Sequence, residues 1–268
     1  MFTKFDLADM ARRVRNVRRG TLKLREINPP LMFSTDLYIA VYKPTVVLWA
    51  RAAEQVTVAY EATLSELITD SPVDFNLMLN LAADEFGRLF LSLQPALQTW
   101  ANRLEKWQRD KWVASVLSGT AVDLTTLLGP EDMRQTVATA IEWNASLVKD
   151  VSAQARQRIA NAVFEGIRNR TPARDVAKTI RESVGMARDR SLRIASDQML
   201  KLSSALADQR RRQAGIEEWE WLHSRKLHPR ADHVARNGKI YSDTNPPPTM
   251  PGQEPYCGCR QRALLRWD

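Results

Sequence analysis

From about Leu31 to Gly215 the chain reads as one amphipathic helix after another. Apolar residues recur at steps of three and four, the spacing that lines one face of a 3.6-residue helix. Val151, Ala155, Ile159, Ala162 or Val163, and Ile167 form one such stripe; Leu192, Ala195, Met199, Leu202 and Leu206 form another. Breaks are expected at Ser71-Pro72, at Pro95, near Gly119, at Gly129-Pro130, at Thr171-Pro172 and at Gly185, with a last helix ending near Gly215. Thr171 is placed to cap a helix that begins at Pro172, where a missing N–H costs nothing, and Asp175 falls in its first turn. Gly185 reads as the left-handed terminator of that helix. Long helices, short breaks and no internal repeat make this region all-α.

The two flanks differ from it. Residues 1–30 crowd Arg12, Arg13, Arg15, Arg18, Arg19, Lys23 and Arg25 ahead of Asn28-Pro29-Pro30. Like charges at that density oppose compaction and a double proline stops a helix, so an arm is expected that orders against a partner. Those five N-terminal arginines, Arg12, Arg13, Arg15, Arg18 and Arg19, are its candidate contacts with nucleic acid or a protein partner; a solvated helix is the plainer reading. At the other end, Trp219 and Trp221 alternate with Glu218 and Glu220 at strand periodicity. Asn237-Gly238 signals a tight turn into a short strand at Lys239-Ile-Tyr. The proline-rich stretch from Asn245 to Gly252 reads as an irregular loop, and a short amphipathic tail ends at Trp267. The expected fold is therefore mainly α, a multi-helix body with a small C-terminal α+β module. Its parts are an arm (1–30), a helical region of unassigned role (31–143), a second helical region (144–215) and the small module (216–268).

Charge is uneven along these parts. The net formal charge is +8 over 268 residues, yet 31–150 carries 9 basic against 15 acidic residues while 151–215 carries 14 against 6. Basic zones favour nucleic acid or an acidic protein surface through counterion release and long-range attraction, although solvated helix faces explain them equally well. With 44% hydrophobic and 26% charged residues the composition is that of a soluble globular chain. The best apolar stretch, Leu37 to Ala53, is interrupted by Lys43, Pro44 and Arg51, so no membrane span is expected. The opening Met1-Phe-Thr-Lys-Phe-Asp-Leu lacks the apolar core of a signal peptide, which predicts a product that stays in a reducing cytoplasm.

The rarest residues cluster. His223, His228, His233, Cys257 and Cys259 are all the histidines and cysteines of the chain, and all lie in its last 46 residues. Thiolate sulfur and imidazole nitrogen are the usual ligands of zinc, and Cys257, Cys259, His233 and one of His228 or His223 would make a set of four. Cys-x-Cys is tighter than the usual two-to-four-residue separation. The alternative is a His233 that orients the proline loop by a hydrogen bond, with cysteines packed as small apolar groups. Asp232-His233 with Asn237 also invites a His-Asn-His nuclease reading, but no histidine follows His233 to complete a metal site.

Other catalytic patterns are absent: there is no phosphate loop, no Gly-x-Ser-x-Gly and no His-Glu-x-x-His. No catalytic residue is expected. The basic helix faces around Arg156, Arg158, Arg168, Arg170, Arg188, Arg190 and Arg193 lack interleaved aromatics, so they would grip phosphates without reading sequence.

Two stretches carry a resemblance. One is "IRNRTPARDVAKTIRESVGMARDRSLRIASDQM" continuing to "RRRQAGI"; the other is "WLHSRKLHPRADHVARNGKIYS" followed by "PPPTMPGQEPYCGCR". From about Asn144 to Arg266 the chain resembles the phage Mu F-like head morphogenesis proteins. Their pattern of Trp, Pro-Arg-x-x-His, Asn/Asp-Gly-Lys, Pro-Gly and Cys-Arg-Cys is met by Trp221, Pro229, Arg230, His233, Asn237, Gly238, Pro251, Gly252, Cys257 and Cys259. The chain departs from it with Gly258 between the cysteines, where Arg260 is a candidate replacement, and with Ile194-Ala195-Ser196-Asp197-Gln198 for an "Ile-Ala-Arg-Thr-Glu" centre. The resemblance implies a minor capsid protein of a tailed phage, a low-copy virion component of the capsid interior or neck made in the host cytoplasm. Its implied partners are the portal protein, the major capsid protein and packaged DNA bound without sequence preference, in head assembly or DNA packaging and ejection. The alternative is a metal-dependent DNA-binding or nuclease component of the same particle. Some members carry a toxin domain after this module; with the sequence ending at Asp268, none is expected here.

Overall fold

The computed structural model describes residues 3–15, 20–66 and 71–267. In chain order the elements are α1 (Leu7–Arg15), β1 (Gly20–Lys23), α2 (Met32–Leu37), a π turn (Tyr38–Tyr42), α3 (Lys43–Glu66), α4 (Ser71–Thr120), a 3-10 turn (Pro130–Met133), α5 (Arg134–Asn169), α6 (Ala173–Gln213), β2 (Glu218–Leu222), α7 (Ala231–Ala235), β3 (Ile240–Ser242) and β4 (Arg260–Trp267). The fold is mainly α with a small antiparallel sheet near the C-terminus, as the residue pattern predicts. No helix among the described residues is long and apolar enough to cross a membrane.

Two expected breaks do not occur. Pro95 lies inside α4, which runs unbroken for 50 residues. Proline removes one helical hydrogen bond, to the carbonyl of Leu91, but that residue is exposed and water can take the bond. The buried stripe Leu93, Leu97, Trp100 and Leu104 continues straight through. Gly185 likewise sits within α6 and terminates nothing. An interior glycine weakens a helix by only about 1 kcal/mol, less than burying Ile180, Ala187 and Ile194 on either side of it returns. The expected cap at Thr171 is also displaced: the first carbonyl used by α6 is that of Pro172, which accepts from Val176 N–H, so proline holds the cap position itself. Of the second predicted stripe, Leu192 is exposed and the other four residues are buried.

The terminator of α6 is Gly215. Its φ of +68° suits glycine, and the amides of Gly215 and Ile216 donate to Arg212 and Arg211 in a Schellman motif. Buried Arg211 then donates to the carbonyls of Ile216 and Glu217 and pairs with Asp243 at 2.6 Å. That pairing ties the exit of the helix to the turn after β3.

The chain divides into two compact units. One takes Ser34–Thr99 and Ile141–Ala195. Its core packs Trp49, Val56, Tyr60, Phe75 and Leu79 with Ala155, Ile159, Val163, Val176 and Ile180. Buried polar groups there are paired: Tyr42 Oη donates to Asn144 at 2.9 Å and Trp49 Nε1 to Ser152 at 2.8 Å. Arg156 and Arg190, read as phosphate grips, are used inside this unit, on Asn80 and on Asp150 with Gln154.

The other unit takes the described residues of Met1–Phe33, Trp100–Ala140 and Ser196–Asp268. The expected free arm is part of it. Leu7 and Ala11 are buried with Trp112, Val116, Ala263 and Leu265. The amides of Lys4 and Phe5 donate to the carbonyl of Gln213, the last residue of α6, and that of Leu7 to the carbonyl of Ala214 just beyond it. Helix ends leave such carbonyls unsatisfied, so this segment has a use for its backbone that outweighs its charge. Arginine charge density argued for an arm; apolar Leu7 and Ala11 one turn apart decided otherwise.

The sheet has the order β1-β4-β2-β3. The expected amphipathic tail is therefore an inner strand: β4 pairs antiparallel with β1 (Leu22 opposite Leu265) and with β2 (Trp219 opposite Ala263). Asn237-Gly238 does turn the chain, with Gly238 at φ +79°, but it connects α7 to β3 and is not a hairpin turn between strands.

Candidate functional site

Strand β2 places Trp219 and Trp221 on one sheet face, where they meet Tyr241 of β3, Cys257 and Cys259 in a small buried cluster. The ring of Trp221 meets His233 edge-on at 5.1 Å, and the Arg236 guanidinium lies over the same indole at 5.1 Å. His233 comes from α7, a helix of five residues whose Arg236 also holds Asp232 at 2.7 Å. Asn237 accepts the His223 amide at 2.9 Å through Oδ1 and so anchors the end of β2 beside α7. That use of Asn237 is structural and owes nothing to nuclease chemistry.

Against this wall the loop after β3 delivers the cysteines. His233 Nδ1 lies 3.5 Å from Cys257 Sγ and 3.6 Å from Cys259 Sγ. All three side chains are buried, and their potential ligand atoms lie within 4.8 Å of one another, so the trio could hold a metal ion. Both thiols are free. The expected fourth ligand is not among them: His228 is exposed, and His223 is half-buried with its Nδ1 accepting the Arg225 amide. The sequence singles out His233 and leaves His228 or His223 open as a fourth ligand; of the three histidines only His233, on the short helix α7, is buried.

The two sulfurs are unequal. A hydrogen bond from Cys259, assisted by the amides of Gly252 and Cys259 and by His233, outweighs burial and lowers the Cys257 pKa to about 5. The Cys259 thiol, hydrogen-bonded to that sulfur and buried, is pushed up.

The loop is held down at several points. Asp197 of α6 accepts the Tyr256 amide at 2.6 Å, Lys226 donates to the Tyr256 carbonyl at 2.7 Å, and Arg230 to that of Pro255 at 3.0 Å. Arg236 donates to the Thr249 hydroxyl at 3.0 Å. Gly252, at φ +79°, packs so closely on α6 that a Cβ would stand 2.7 Å from Ser204 Oγ. Gly258 lies against Ser224 and Lys226, and Arg260 turns to Glu26 and the Gly258 carbonyl rather than into the cluster. Asp197 is the residue whose part sequence reading left open. An acid on the buried face of a helix was the available signal, and the geometry supplies its partner.

Of the N-terminal arginines, Arg12 and Arg13 lie on the exposed side of α1, with Arg13 paired to Asp9. Arg18, Arg19 and the side chain of Arg15 lie outside the described residues.

A 149-residue stretch is 28% identical to an uncharacterized protein of Haemophilus influenzae, covering 54% of this chain and 33% of the relative. The match thus spans about a third of the relative's own length. No solved structure matches the chain. Residues 157–262, which include Asp197, His233, Cys257 and Cys259, match the family described as Phage Mu protein F like protein, so this chain carries a Mu F-like region.

Proposed function

We propose that the chain is a minor head protein of a tailed bacteriophage, bound near the portal in few copies and acting in head assembly or DNA packaging and ejection. One observation carries this reading. The match over residues 157–262 is to a phage head morphogenesis family, and it takes in both the long helix α6 and the loop that closes on it. A structural role agrees with that family and with the absence of common catalytic motifs. The partners are the portal protein, the major capsid protein and packaged DNA held without sequence preference. Arg12, Arg13, Arg15, Arg18 and Arg19 are the proposed contacts.

Mass spectrometry of purified particles tests the proposal. The protein should be a low-copy component of heads and co-purify with a portal oligomer; complete absence from heads and proheads would overturn it. Charge reversal at Arg12 and Arg13 should reduce incorporation without lowering the melting temperature, since both side chains are exposed. The nuclease reading gains nothing from the geometry. Each member of the His233, Cys257 and Cys259 trio is only 3% exposed, whereas a phosphodiester needs an open site. Cleavage of plasmid DNA by the purified protein with added divalent metal would restore that reading.

A further inference from the structure

Three potential metal ligands converge in the buried cluster beside β2. A neutral imidazole offers one proton or one lone pair at Nδ1. His233 Nδ1 nevertheless faces both Cys257 Sγ and Cys259 Sγ, at 3.5 and 3.6 Å. One ion could accept all three donors at once. Cys-x-Cys is tight for a paired ligand, yet both sulfurs reach the same nitrogen here, with Gly258 packed between Ser224 and Lys226. A Cβ there would stand 2.9 Å from Ser224 Cβ and from Lys226 Cε, so a side chain at this position would require those neighbours to shift.

The surroundings are those of sulfur ligands. The Cys259 amide points at Cys257 Sγ at 3.4 Å, the Gly252 amide at the same sulfur and the Ser224 amide at Cys259. Asp232 Oδ2, held by Arg236 at 2.7 Å, stands 3.9 Å from His233 Nε2, beyond direct hydrogen-bond distance. The segment between β3 and β4 has no regular structure of its own, and the trio adds a third point of closure to its contacts with Asp197 and Arg236.

We propose that His233 Nδ1, Cys257 Sγ and Cys259 Sγ bind one zinc ion that fastens the β3–β4 loop to α7 and β2. Two thiolates and an imidazole suit this borderline-soft ion, and its binding releases the thiol protons and adds to folding free energy. Among the described residues no fourth His, Cys, Asp or Glu joins the trio, which leaves one tetrahedral position for a solvent molecule. The proposal stands or falls independently of the protein's place in a particle.

Full-length protein purified without added metal should contain about one zinc per chain. Chelation should lower its melting temperature. Cobalt(II) added to the stripped wild type should give sulfur-to-cobalt charge-transfer absorption that saturates at about one ion per chain. His223→Ala and His228→Ala should keep the metal, while His233→Ala and the Cys257→Ser, Cys259→Ser pair should lose it. The wild-type cobalt titration decides the matter even if those variants fail to fold. Absence of both stoichiometric zinc and the cobalt–thiolate band would overturn the proposal, as would full zinc retention by the double cysteine variant.

Discussion

Asp197, on the buried face of α6, accepts the backbone amide of Tyr256 at 2.6 Å, one residue before Cys257. A carboxylate aimed at a single loop amide joins the two stretches that carry the family resemblance. Its other oxygen meets Lys201 at 3.1 Å and Gln198 at 3.2 Å, so its acceptor capacity is used on both sides. Asp197→Ala should therefore lower stability by about 1–3 kcal/mol, the range for a buried hydrogen bond with a charged partner. Denaturant unfolding checks this, and an unchanged midpoint would mean that the loop is held by its other contacts alone.

Glu105 of α4 and Arg210 of α6 form a buried ion pair at 2.5 Å. Burial raises the Glu105 carboxyl despite Arg210 and Arg109 beside it, and lowers the Arg210 guanidinium to about 10. Each charge is thus tolerated only for the sake of the other. Arg210→Met alone should destabilise by about 3–5 kcal/mol, because it strands a buried carboxylate. Adding Glu105→Leu should recover most of that loss. A double-mutant cycle showing additive effects would refute the coupling.

Across the sheet, Glu220 of β2 takes Arg262 of the facing strand at 2.5 Å and Lys23 of β1 at 3.1 Å. Burial alone would raise its pKa, but the hydrogen bonds from Arg262 and Lys23 win and hold it below the ordinary value of 4.5. A depressed carboxyl pKa stabilises the fold above the unfolded value, and that contribution disappears as pH falls through the folded one. The melting temperature should therefore drop on acidification below about pH 4.5, and Glu220→Gln should flatten that drop. Parallel acid profiles for the two proteins would contradict the assignment.

Gly252→Ala should destabilise the protein by more than about 1 kcal/mol, since alanine resists positive φ. The added methyl would also collide with Ser204 Oγ at 2.7 Å. Pairing the change with Ser204→Gly removes the collision but not the backbone strain, so only part of the loss should return. Thermal melts of the two variants separate the contributions.

Much of this architecture can be read locally. Helical stripes such as Val151, Ala155 and Ile159 are visible because the period of a helix is written into neighbouring residues. Trp219 and Trp221 announce a strand for the same reason. Pro95 and Gly185 mislead because propensity is a weak local term, overridden once an apolar face is buried on both sides of the flaw. Leu7 and Ala11 were outvoted by the arginines around them, although two apolar residues meeting a core outweigh charges that remain in water.

The amino-acid sequence by itself determined the mainly helical class, the small mixed module at its end and the gathering of His233, Cys257 and Cys259 into one segment. Only the tertiary structure decided that neither His228 nor His223 joins His233 at the sulfurs. It alone placed β4 inside the sheet and β1 at its edge, and gave Asp197 its partner 59 residues away. The physical reason is range: periodicity and turn chemistry act over a few residues. Strand order, buried charge pairs and the inward turn of one side chain depend on which distant surfaces exclude water together.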